Sequence, residues 1–96
     1  MERQATLSLL QAAKPELQAR FGVLRLGLFG SVARTTATES SDVDILVAFD
    51  GPAHSQRYFG LLFFLEDLLK RPVDLVTEKA LRPELKPFIT ADLIHV

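Results

Sequence analysis

Six residues have types and spacing suited to phosphate chemistry: Gly30, Ser31 and Arg34 in one segment, then Asp42 and Asp44, and later Asp74. Asp42 and Asp44 flank a valine at the head of an apolar run, and Asp74 lies inside Pro72-Val73-Asp74-Leu75-Val76. Acids set into strand-like apolar sequence are costly unless they are paired, hydrogen-bonded or bound to a cation. Alternate residues of a strand share a face, so Asp42 and Asp44 point one way while Val43 and Ile45 point into the other layer. Two such carboxylates converge on one ion. A third, from a neighbouring strand, completes or bridges a second site, as in two-metal phosphoryl and nucleotidyl transfer with ions roughly 3.5–4 Å apart. Magnesium suits this set, because it prefers hard oxygen ligands and keeps positions for water and substrate phosphates. The candidate catalytic and metal-binding residues are therefore Asp42, Asp44 and Asp74, with two Mg²⁺ ions. Asp74 is also the group best placed to accept a proton from an attacking hydroxyl, provided its strand lies beside that of Asp44.

Gly30 has no side chain to keep a phosphate away from the backbone, and the turn after it offers free amides at a helix start. Ser31 adds a hydroxyl donor, and Arg34, one turn on, brings a planar fork of donors. A triphosphate lying between this turn and the metals would present its α-phosphorus for in-line attack.

The elements that must position these groups are legible in outline. Residues 3–13 read as a short helix, and Pro15 as the first position of a second one ending near Arg20, with Gly22 as the stop. Val23 to Phe29 and Val43 to Phe49 read as strands, the second closed by the Asp50-Gly51-Pro52 turn. Residues 31–41, polar and small, read as one helical turn and a loop. Ser55 caps a helix over about 56–69, which Lys70-Arg71-Pro72 ends before a third strand, Val73 to Val76. Thr77 caps a short turn, Pro83 opens a last helix that Pro87 distorts, and residues 93–96 form a short edge strand. The order implies a mixed α/β (α+β) layer arrangement. In the helix over 56–69 the apolar residues run most of the way round, where a helix on one sheet needs a stripe of only about 100°. A subunit or partner interface through that helix, homo- or hetero-oligomeric, is the expectation.

The 96 residues, 48% of them apolar, fit one compact domain spanning 1–96. The absence of cysteine excludes disulfides, thiolate zinc sites and thiol nucleophiles. A formal charge of -1 with scattered bases speaks against direct nucleic-acid binding. Charged residues break up the first twenty positions, and no apolar run approaches membrane-spanning length, so a cytoplasmic protein without membrane attachment is expected. His54 and His95 read as a turn residue and a terminal-edge residue, Arg57 and Lys79 as surface cations, and Glu66 and Asp67 as the wet edge of the apolar helix.

Taken together, the Gly-Ser turn, the Asp-x-Asp strand and the third Asp resemble the minimal nucleotidyltransferase (MNT) family of the polymerase-beta-like superfamily. The likeness extends through YFGLLFFLEDLLKRPVDLVTEKAL and covers nearly the whole chain. It implies a polymerase-beta-like nucleotidyltransferase fold, a small mixed sheet of three to four strands with helices packed on it. It also implies magnesium, and ATP as the usual nucleoside triphosphate. Family members are commonly the antitoxin half of a module whose partner is a HEPN ribonuclease toxin, and some adenylylate a tyrosine of that toxin. By the resemblance, Gly30 and Ser31 are the phosphate-binding turn and Asp42, Asp44 and Asp74 the metal ligands. Thr35 stands where the family usually has glycine. A different class of function, neutralising a toxin by covering it without chemistry, uses the same apolar helix.

Overall fold

The structure is a computed structural model that describes residues 2–96. Its elements run α1 (Arg3–Phe21), β1 (Val23–Phe29), α2 (Gly30–Ala33), β2 (Val43–Phe49), α3 (Ser55–Leu69), β3 (Val73–Thr77), a 3₁₀ turn (Glu78–Ala80), α4 (Lys86–Asp92) and β4 (Ile94–His95). The strands form one mixed sheet in the order β3-β2-β1-β4. β1 pairs antiparallel with both β2 and β4, while β2 and β3 are parallel. Parallel neighbours need a long crossover, and α3 supplies it.

Alternation along the strands divides the sheet into two unlike faces. Leu26 and Leu28 of β1, Val43, Ile45 and Val47 of β2, and Val73 and Leu75 of β3 are buried in one core with Leu10, Ala13 and Leu17 of α1 and Leu61, Leu65 and Leu69 of α3. Full burial of each large side chain contributes roughly 1.5–3 kcal/mol. The other face carries the acids, and the segment from the 3₁₀ turn through α4 crosses it without burying any of its own residues. A register shift between Val23 and Arg25 marks a bulge, which leaves Val23 in the core and Leu24 exposed.

Several local expectations need correction. The two helices expected before residue 21 are one, α1, with Pro15 inside it. Pro15 has no N–H for the carbonyl one turn back, but Ala13 and Leu17 on either side are anchored in the core, and this packing outweighs the lost bond. The N-cap of α3 is His54, not Ser55: the imidazole Nδ1 accepts from the Arg57 N–H at 3.2 Å. α4 starts at Lys86 with Pro87 in its first turn, where a missing N–H is harmless, and Pro83 lies in the turn before it. Glu66 is no simple wet edge, since its carboxylate accepts the Val73 N–H at 3.0 Å and so ties α3 to the head of β3.

α3 buries Leu61, Leu65 and Leu69 against the sheet, and α1 covers part of its flank through an edge-on contact of Phe21 with Phe64. Tyr58 donates its hydroxyl to the Leu75 carbonyl at 2.5 Å, clamping the helix to edge strand β3. Phe59 and Phe63 remain on the outside, 49% and 61% exposed, with rings stacked 6.1 Å apart. No helix among the described residues is long and apolar enough to cross a membrane.

Candidate active site

β2 carries Asp44 in the middle of a three-strand register. On one side it faces Phe29, the last residue of β1, and on the other it faces Asp74 of β3. Because β2 and β3 are parallel and aligned, both acids emerge on the face opposite the core, and Asp42 precedes β2 by one residue with the same parity. Asp44 is half-buried, while Asp42 and Asp74 are exposed. The Asp44 carboxyl is pushed above its ordinary value, first by burial, then by the charges of Asp74 and Asp42, with Arg34 opposing. All four groups therefore share one electrostatic neighbourhood.

The turn after β1 closes the other side. Gly30 sits at φ 75, and a β-carbon there would run into the Asp44 carboxylate. Glycine thus lets the turn press directly on the central acid, a closer reason for its presence than approach to a phosphate. The four-residue α2 that follows brings Ser31 and Arg34 alongside, with the Arg34 N–H donating to the Gly30 carbonyl at 3.0 Å. Thr35 adopts φ 63, a left-handed conformation unfavourable for a β-branched residue.

Two participants escaped the sequence reading. Arg71 reaches back from the end of α3 to the loop before Asp42, its Nη2 donating to the carbonyls of Thr38 at 2.9 Å, Glu39 at 2.5 Å and Ser41 at 3.0 Å. The next residue, Pro72, accepts the Val43 N–H at 3.0 Å, so residues 71–72 brace both sides of Asp42. The second is Asp92, which holds Arg34 in an ion pair at 2.6 Å. Its one signal in the sequence is an acid at a helix C-terminus, where partial negative charge makes a carboxylate unwelcome without a cation. His95 lies on the terminal strand, as expected, whereas His54, expected as a turn residue, caps α3. Arg57 pairs with Asp50 at 2.8 Å, and Lys79 is exposed.

The donor chemistry fits a hard divalent cation: three carboxylates on one face, with the central one raised by burial first and then by the charges of the other two. Among the described residues no three acidic or histidine side chains come close enough together to hold a metal ion. Further along the same face, Leu46 of β2 floors a cavity of about 480 Å³ roofed by Leu81, Pro83 and Leu93.

The comparisons agree with this geometry. Residues 10–96 match the family described as nucleotidyltransferase domain. The chain is 40% identical over 89 residues to the protein adenylyltransferase MntA of Thermococcus cleftensis, covering 93% of this chain and 90% of that one. Its fold superposes on a solved structure described as a minimal nucleotidyltransferase with a TM-score of 0.81 and 39% identity, covering 98% and 95% of the two chains. It also superposes, at a TM-score of 0.61 and 20% identity, on a chain in a complex of tri-AMPylated Shewanella oneidensis HEPN toxin with MNT antitoxin, covering 97% of this chain and 66% of that one. The acid-bearing sheet and the extent of these matches lead to one family: the chain belongs to the nucleotidyltransferase domain family, as one of its minimal members.

Proposed function

We propose that this protein, acting as a single domain over residues 1–96, transfers AMP from ATP to a hydroxyl of a HEPN-type toxin in the cytoplasm and thereby acts as its antitoxin. A tyrosine is the acceptor that fits the reading. The observation that carries it is the parallel register of Asp44 with Asp74 on the open sheet face, with the Gly30 turn against Asp44. The curated relative named as a protein adenylyltransferase and the AMPylated toxin in the MNT complex support the choice of acceptor class.

Gly30 and Ser31 would seat the triphosphate tail through backbone amides and the serine hydroxyl, and Arg34 would add charge to the same phosphates. Asp42, Asp44 and Asp74 would hold Mg²⁺, which when bound neutralises phosphate charge and acts as a Lewis acid. The acceptor oxygen then forms its bond to the α-phosphorus as the bond to pyrophosphate breaks. Its proton passes to Asp74, which is exposed on the edge strand β3.

A second reading has an observation of its own. Phe59 and Phe63 form an exposed stacked pair on α3, the kind of desolvatable apolar centre a protein interface needs. Neutralisation by complex formation through α3 would use it without chemistry. To separate the two, the protein is incubated with the toxin encoded beside it, [α-³²P]ATP and Mg²⁺, and the experiment is repeated with Asp44→Asn. Label should move to the toxin with the natural protein, and the substitution should cut transfer by at least about 100-fold, as loss of a group stabilising transition-state charge does. Transfer indifferent to Asp44→Asn would sink the catalytic assignment. Toxin silenced equally well by the inactive variant would establish the second reading.

A further inference from the structure

Arg34 is held by a partner 58 positions away in sequence. Its Nη1 donates to Asp92 Oδ2 at 2.6 Å, and the carboxylate is the more enclosed member, its side chain 22% exposed against 50% for the arginine. Asp92 is the last residue of α4, where the helix end disfavours negative charge. Stability offers little reason for an acid there, since no α4 residue is buried and exposed ion pairs contribute little.

The two members differ in how enclosed their side chains are. Directly after Asp92, Leu93 lies over Gly27, where a β-carbon would collide with the leucine side chain. Ile94 and His95 then pair with Leu28 and Gly27, and the Val96 N–H donates to the Leu26 carbonyl at 2.9 Å. Asp92 is thus carried by the sheet edge. Arg34 caps the C-terminus of α2, whose Val32 and Ala33 are buried in the core, and it precedes the strained Thr35. The carboxylate is the more enclosed side chain, and the long, exposed guanidinium is the one with freedom to lose. The contact occupies Nη1, and Nε and Nη2 have no protein partner among the described residues. The charge so placed is felt at Asp44.

We infer that Asp92 is a positioning residue for nucleotide binding: it holds one nitrogen of Arg34 so that the remaining donors are ready for the phosphates seated on the Gly30–Ser31 turn. This rests on the reading of that turn as a triphosphate site. A long side chain already restrained loses less freedom on binding, a difference of several-fold in affinity.

The test uses the full chain with Asp92→Asn, which keeps the shape and removes the charge, and with Asp92→Glu. Binding of ATP with Mg²⁺ and of inorganic tripolyphosphate is followed by calorimetry, and transfer to the toxin by steady-state kinetics. Asp92→Asn should weaken both ligands about 3- to 10-fold and raise KM for ATP at nearly unchanged kcat. Asp92→Glu should recover most of the loss. In an Arg34→Ala background the same substitution should change nothing further, since the acid acts only through the arginine. Unchanged or tighter binding in a folded Asp92→Asn protein overturns the proposal, as does an equal loss in the Arg34→Ala background. If the natural protein binds neither ATP nor tripolyphosphate, the triphosphate reading falls first and the role of Asp92 with it.

Discussion

At the scale of single residues, the site is a set of groups kept in place by what cannot be added to them. Gly30 combines a left-handed backbone with direct contact to Asp44, so a methyl group there carries two penalties. Alanine in that conformation costs about 1–2 kcal/mol by itself, and its β-carbon must also displace the Asp44 carboxylate from its place beside Asp74. Gly30→Ala should therefore lower unfolding stability by at least about 1 kcal/mol in a denaturant titration. It should also reduce transfer by about 100-fold, the usual consequence of shifting a reacting group by an ångström. A folded variant with natural activity would show that Asp44 need not stay where the turn holds it. The alternation that sends Asp42 and Asp44 to one face was legible from residue types alone, because side-chain parity in a strand is a local property. The contact between Gly30 and Asp44 was not, since it joins the end of one strand to the start of its neighbour.

Elements position these residues through a few long-range fastenings. Arg71, at the junction of α3 and β3, donates to the carbonyls of Thr38, Glu39 and Ser41 in the loop before Asp42 and so couples the start of β2 to the start of β3. Hydrogen bonds from a charged donor are worth about 1.5–3 kcal/mol net, and on this largely exposed loop water takes over the freed carbonyls and moderates the loss. Arg71→Ala should thus destabilise the protein by about 1–3 kcal/mol. Amide exchange should accelerate across residues 38–43 before it does so in α1, and uniform acceleration would mean the arginine braces the whole fold and not the loop. Helix and strand periodicity located β1, β2 and most of α3 because those segments carry strong local patterns. It split α1 at Pro15, because local preference there is overruled by burial of Leu10, Ala13 and Leu17 in the core.

At the scale of the whole molecule, the sheet separates stability from chemistry: helices cover one face, and the acids occupy the other beneath the loosely packed segment around α4. That segment is tied down partly by Glu78, whose carboxylate receives Arg25 Nη2 at 3.0 Å and Nε at 3.2 Å. These bonds hold the Glu78 carboxyl below its ordinary value. A depressed acid contributes stability that is present above its unfolded value, about 4.3, and lost as pH falls through the lower folded one. The natural protein should therefore exceed Glu78→Gln in urea midpoint at neutral pH, with the gap closing below about pH 4. A gap independent of pH would show that the side chain acts by packing alone. The amino-acid sequence by itself determined which residues could carry phosphate chemistry, the faces of the strands that bear them and the mixed α/β layering, because each depends on neighbours a few positions away. Only the tertiary structure decided that Asp74 stands level with Asp44, that Gly30 presses on Asp44 and that Asp92 and Arg71 fasten the surrounding turns. Those facts depend on strand order and register, which are set by the competition of the entire core for burial and not by any one segment.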